Sequence, residues 1–123
     1  MYRVSKKMEI SAMHHLELSY DSPCESFHGH NWYITVEVEG PELNEDGMLI
    51  DFTIIKQLIH GKMDHKNLND VFTFNPTAEN ISKWVSEQID NYLSQHSTLY
   101  VHCSKVRVEE TQGNYSEWER SKD

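Results

Sequence analysis

From His30 to Val38 every second residue, His30, Trp32, Ile34, Val36 and Val38, falls on one face, while Asn31, Thr35, Glu37 and Glu39 fall on the other. A period of two belongs to a half-buried strand and does not fit a helix. The run stops at Gly40-Pro41. An earlier stretch has the same period: Tyr2, Val4, Met8, Ile10 and Ala12 share one face, and Arg3, Ser5, Lys7, Glu9 and Ser11 the other, with Lys6 as the one break. Two long strands in succession predict an antiparallel pair with a wide connection over residues 15–27, where Asp21-Ser22-Pro23 supplies turn chemistry.

The rest of the chain alternates less and caps more. Asp51 is placed to cap a helix with Phe52, Ile55, Leu58 and Ile59 on one face and Gly61 just past its end. A second helix begins at Asn75-Pro76-Thr77 and buries Ile81, Trp84, Val85, Ile89, Tyr92 and Leu93. Met63 to Asn69, between them, is polar and expected to be irregular. Residues 99–111 return to strand, and Gln112-Gly113-Asn114 turns the chain into a short last strand, Tyr115 to Trp118. The order β-β-α-α-β-β describes a single α+β domain over residues 1–123, with a four-stranded antiparallel sheet and two helices on one face.

Composition narrows the function. The net charge is −9 and no basic stripe exists, which argues against nucleic acid as a partner. No apolar run approaches the roughly 20 residues that span a bilayer, and residues 1–10 lack the apolar core of a signal peptide. Two cysteines far apart make no disulfide framework, so the cytoplasm is the expected compartment. A small molecule is left as the expected partner.

The second strand opens on His28-Gly29-His30, which projects two imidazoles to one side. A catalytic zinc often takes three histidines and keeps one position open. His14 is on the apolar parity of the first strand and is the best third ligand; His15 has the opposite parity. Spacing alone leaves both a metal site and a turn of packed imidazoles open. Cys24, four residues before His28, is either a small buried hydrophobe or a thiol activated by nearby positive charge. Asp64-His65 reads as an oriented proton-transfer pair or as an exposed polar loop. Glu110 shares the apolar parity of Val106 and Val108, where a carboxylate needs a partner. An N–H-rich planar heterocycle or an internal ion pair at a subunit interface would each provide one.

Six segments in order resemble the 6-pyruvoyl-tetrahydropterin synthase / 6-carboxy-5,6,7,8-tetrahydropterin synthase family. They are Ser11-Ala12-Met13-His14, Cys24-x-x-x-His28-Gly29-His30, Gly47-Met48-Leu49-Ile50-Asp51-Phe52, Asp64-His65-x-x-Leu68-Asn69, Pro76-Thr77-Ala78-Glu79-Asn80 and Glu110-Thr111. The resemblance implies zinc on His14, His28 and His30. It implies Cys24 as base with Asp64 and His65 as its proton-transfer partners, and Glu110 and Thr77 as contacts of a pterin ring. It also implies the tunnelling fold, in which three subunits close a barrel and two rings stack into a homohexamer, a dimer of trimers.

The implied substrate is 7,8-dihydroneopterin triphosphate. The three-residue gap between Cys24 and His28 resembles the bacterial enzymes that form 6-carboxytetrahydropterin, acetaldehyde and triphosphate on the way to queuosine. Glu25 complicates this reading, because a glutamate at this place serves a folate branch that makes 6-hydroxymethyl-dihydropterin. A ring that binds pterin without turnover is a third reading, which the intact Cys24, Asp64 and His65 oppose. Ile10 and Met13 depart from the usual residues at positions that concern packing.

Overall fold

The computed structural model describes residues 1–121. Strand β1 (Tyr2–His14) and strand β2 (His28–Gly40) form the expected antiparallel pair, in register from Tyr2 opposite Gly40 to His14 opposite His28. Strand β4 (His102–Thr111) pairs antiparallel with β2, and strand β5 (Asn114–Glu119) with β4. The expected boundaries shift slightly: residues 99–101 precede β4, and β5 extends one residue at each end of the predicted strand.

Two readings of the middle of the chain are corrected. The helix from Asp51 divides into α1 (Phe52–Leu58) and α2 (His60–Met63), and Gly61 lies inside the second piece. Ile55, Ile59 and Met63 are all fully buried, so carrying the chain through Gly61 seats Met63 in the core. That burial outweighs the helix penalty of one glycine, about 1 kcal/mol. The polar segment expected to be irregular holds a two-residue strand, β3 (Lys66–Asn67), parallel to β1, and a single helical turn, α3 (Leu68–Val71). The sheet order is therefore β3-β1-β2-β4-β5, the four expected strands with a short fifth at one edge.

Helix α4 (Ala78–His96) is capped as expected, with Thr77 Oγ1 accepting the Asn80 N–H at 3.1 Å. It packs across β4 and β5, while α1, α2 and α3 lie against β1. All helices thus cover one face of the sheet. Ile81, Val85, Ile89 and Leu93 are buried as the stripe requires, whereas Trp84 and Tyr92 stay half-exposed. Trp84 instead packs edge-on against Phe72, at 4.8 Å between ring centroids. No helix among the described residues is long and apolar enough to cross a membrane.

A bulge corrects the parity of β4. Opposite β2 the register jumps so that Glu37 faces Lys105 and Val38 faces Cys103, leaving Ser104 as the extra residue. Cys103, on the polar parity by simple alternation from Val106, is therefore fully buried. Its amide donates to Asp90 Oδ1 at 2.8 Å, and burial raises the thiol pKa to about 12, so this cysteine is inert packing.

Gly40 ends β2 under close contact. A Cβ there would lie 3.0 Å from Leu49 Cδ2 and 3.1 Å from the Tyr100 carbonyl oxygen. Backbone cannot yield as a side chain can, so Gly40→Ala is expected to destabilise the fold by about 1–3 kcal/mol. A urea titration that leaves the midpoint unchanged would contradict this account of the β2 terminus.

Candidate functional site

The register of β1 against β2 delivers the histidines. His14, the last residue of β1, stands opposite His28, the first of β2, and His30 follows on the same face. The three ring centroids lie 4.5, 4.5 and 5.2 Å apart. Trp32 forms the floor, with its centroid 4.8 Å from that of His14 and 5.6 Å from that of His30. From β4, Glu110 brings Oε1 to 3.4 Å from His14 Nε2, 3.8 Å from His28 Nε2 and 3.0 Å from His30 Nε2.

Carbonyl groups orient two of these rings. His14 Nδ1 lies 2.8 Å from the Pro76 carbonyl oxygen, and His28 Nδ1 lies 2.7 Å from that of Ser26. A carbonyl only accepts, so each Nδ1 carries the hydrogen, and in the neutral ring Nε2 is left as a lone pair pointing inward. Carbonyl-oriented imidazoles of this kind are typical of metal ligands. Nε2 of His14 and Nε2 of His30 are buried and make no hydrogen bond. A lone pair 3.4 Å from a carboxylate oxygen sets two acceptors face to face, an arrangement that a proton or a cation between them relieves.

Burial lowers the pKa of His30 despite the opposing pull of Glu110, which favours the neutral, ligating form. When the rings are protonated, a hydrogen bond from His14 and then the charges of His14, His30 and His28 hold Glu110 below the usual carboxylate range against its desolvation. The three Nε2 atoms and the carboxylate oxygen all lie within 4.8 Å of one another. Nitrogen donors in this number, with one oxygen, fit zinc.

His15 faces elsewhere. Its amide donates to Asn69 Oδ1 at 2.9 Å, and its ring packs against Phe27 at 4.4 Å between centroids. The parity argument therefore separates the two neighbours as expected.

Asp64 and His65 are brought together across adjacent positions. His65 has φ +58°, the left-handed region that a non-glycine residue seldom adopts, and its amide donates to the Ser11 carbonyl at 2.6 Å. Asp64 Oδ1 accepts the Ser11 N–H at 3.0 Å, so both residues are pinned to one position of β1. His65 Nε2 then lies 3.4 Å from Asp64 Oδ2, on a side chain that is 81% exposed. His60 Nε2 lies 3.6 Å from the same oxygen. Sequence reasoning missed His60; its i,i+4 spacing to Asp64 was the available signal. The Pro76 and Ser26 carbonyls were also missed, and backbone groups leave no mark in residue identity.

Cys24 lies exposed in a 3-10 turn (Pro23–Glu25) that Ser22 caps. Its carbonyl accepts the Leu16 N–H at 2.8 Å, but its thiol makes no hydrogen bond among the described residues. Within one chain the structure thus joins Cys24 neither to the Asp64–His65 pair nor to the histidine cluster. Thr77 uses its oxygen lone pair as the α4 cap, which leaves the hydroxyl hydrogen available. Glu110 stands in the histidine cluster itself, with its second carboxylate oxygen in no hydrogen bond among the described residues.

The profile of the 6-pyruvoyl tetrahydropterin synthase family matches residues 3–121. The chain belongs to this family. Among its tetrahydropterin synthase relatives, the 6-carboxy-5,6,7,8-tetrahydropterin synthase of Bacillus subtilis is 32% identical over 121 residues, covering 93% of this chain and 82% of that protein. The dihydroneopterin monophosphate aldolase of Pyrococcus furiosus is 43% identical over 68 residues, 53% of this chain and 57% of its own. The solved 6-pyruvoyl tetrahydropterin synthase of Caenorhabditis elegans superposes with a TM-score of 0.74 at 26% identity, covering 98% of this chain and 96% of that one. The fold is thus the tunnelling fold of tetrahydropterin synthases.

The ring orientations make His14, and not His15, the expected metal ligand, and metal content tests this. His14→Ala is expected to abolish stoichiometric zinc and His15→Ala to retain it, as measured by elemental analysis of protein dialysed against limiting zinc. Equal zinc in both variants would remove His14 from the ligand set.

Proposed function

We propose that this protein is a zinc-dependent lyase, a 6-carboxy-5,6,7,8-tetrahydropterin synthase. It would convert 7,8-dihydroneopterin triphosphate and water to 6-carboxytetrahydropterin, acetaldehyde and triphosphate, in cytoplasmic queuosine or 7-deazapurine biosynthesis. The observation that carries this reading is the set of three converging imidazoles, of which His14 and His30 have a buried inward nitrogen with no hydrogen-bond partner. The likeness to the Bacillus subtilis enzyme supports the choice of product.

Zinc, when bound, supplies Lewis acidity toward the substrate side chain. The remaining work belongs to the chain. His65 presents an exposed imidazole for proton exchange, and Asp64 Oδ2, 3.4 Å from its Nε2, orients it. Cys24, exposed on its turn, serves as base once a neighbouring subunit brings it to the pair. The free oxygen of Glu110 accepts hydrogen bonds from pterin N–H groups, and the Thr77 hydroxyl donates at the ring edge.

Open sheet edges support assembly into a ring. Among the described residues, β1 is paired on its outer side only at Ala12 and Met13, and β5 has no outer neighbour. Two open edges on one sheet allow copies to join strand to strand and close on themselves. The proposed assembly is a homohexamer of two stacked trimers, with sites between subunits. Native mass spectrometry is expected to give six copies, and a monomer at micromolar concentration would overturn the ring.

A second reading rests on Glu25, which occupies the same exposed turn as Cys24. The likeness to the Pyrococcus aldolase over half the chain favours cleavage to 6-hydroxymethyl-dihydropterin as its product. Zinc-loaded protein supplied with dihydroneopterin triphosphate is expected to release acetaldehyde and triphosphate, read by mass and enzymatic assay. On the main reading Cys24→Ala lowers that turnover at least about 100-fold. If 6-hydroxymethyl-dihydropterin forms instead, and Glu25→Ala suppresses it more than Cys24→Ala, the second reading replaces the first.

A further inference from the structure

We infer that Lys66 is the residue that receives the phosphate groups of the substrate side chain. The inference rests on the proposed reading that the substrate is a phosphorylated pterin. Such a substrate is strongly anionic, and the chain it meets has a net charge of −9. Binding then requires a local region from which carboxylates are absent and in which a cation is uncommitted.

One cavity satisfies both conditions. It has a volume of about 430 Å³ and lies where the ends of β1 and β2 meet β3, with His30 of the histidine cluster in its lining. Ser11, Met13, Gly29, Asn31, His65 and Lys66 are among its lining residues, and neither Asp nor Glu is. Gly29 keeps it open: a Cβ added there would point into space with no atom within 4 Å. Ser11 and Asn31 offer a hydroxyl and an amide to a phosphate oxygen.

Lys66 is the lone Lys or Arg among the described lining residues. Four cations are engaged by carboxylates, Arg3 by Glu37 and Glu39, Lys105 by Glu117, Arg107 by Glu109 and Arg120 by Asp90, and none of the cations outside ion pairs other than Lys66 lines this cavity. Lys66 is exposed and makes no ion pair among the described residues. Its backbone is nevertheless fixed, because β3 pairs Lys66 with Ala12 of β1. It also follows His65 directly. His65 and Lys66 both line this cavity, so an anion held by the ammonium shares a site with the imidazole proposed to exchange protons.

The test uses the zinc-loaded protein and inorganic tripolyphosphate as probe, at equal zinc content in every variant. Lys66→Gln is expected to weaken tripolyphosphate binding about 5- to 10-fold in calorimetry, the scale of one charge-assisted contact at a partly exposed site. Lys66→Arg and the remote Lys83→Gln are expected to bind it as the parent does. With dihydroneopterin triphosphate, the loss in Lys66→Gln should fall on KM rather than kcat. Equal tripolyphosphate affinity in Lys66→Gln and the parent overturns the inference even if the parent turns over. Loss of that affinity in a protein that shows no turnover leaves the anion subsite in place and removes the proposed activity instead.

Discussion

The pairing of β1 with β2 is the constraint on which the rest of the molecule depends. Its register runs unbroken from Tyr2–Gly40 to His14–His28 and places Met8, Ile10 and Ala12 beside Ile34, Trp32 and His30 on the helix-covered face. A slip of one residue would turn every side chain of one strand to the wrong face. It would expose Trp32 and Ile34, each worth about 1.5–3 kcal/mol of burial, and it would also dissolve the histidine cluster. Core and site therefore share one cause. The apolar alternation that selects the register is what lines up the imidazoles at its end.

Around that end, the chain commits its connecting segments to holding polar groups still. The Pro76 carbonyl, just before α4, and the Ser26 carbonyl, just before β2, orient two rings from opposite sides. Ser11 anchors Asp64 and His65 through its own amide and carbonyl. Asn69 and Asn75 take up the backbone of residues 15 and 17, where the chain leaves β1. Side-chain amides here do the work of a sheet neighbour, so a long connection keeps a defined path. A cation in the cluster would tie β1, β2 and β4 together at one point, coupling its binding to the stability of the fold.

Much of this was legible in the chain. The parity of His14 against His15, the Asp51 and Thr77 caps and, apart from the half-buried Trp84 and Tyr92, the interior face of α4 follow from local rules, and the structure bears them out. Cys103 was not legible, because the bulge at Ser104 reverses the alternation that identified Val106 and Val108. Neither was the continuation of the helix through Gly61, since a local stop signal lost to the burial of Met63. The third strand is only two residues long and has no period to detect. Glu110 was recognised as a carboxylate needing a partner; that its partners are the three histidines depended on the lie of β4 against β2.

By itself, the sequence determined which residues alternate, where the main helices begin and which side chains share a face. These depend on backbone geometry and on neighbours within a few positions, so residue order is enough to decide them. Only the tertiary structure decided that His14 meets a carbonyl 62 positions away, that Ser11 pins both Asp64 and His65, and that Lys66 lines the same cavity as Ser11 and Gly29. Those meetings arise from strand register, a left-handed residue at position 65 and the paths of loops closed by long-range hydrogen bonds. Contacts of that kind form when the whole core condenses, and no local spacing encodes them.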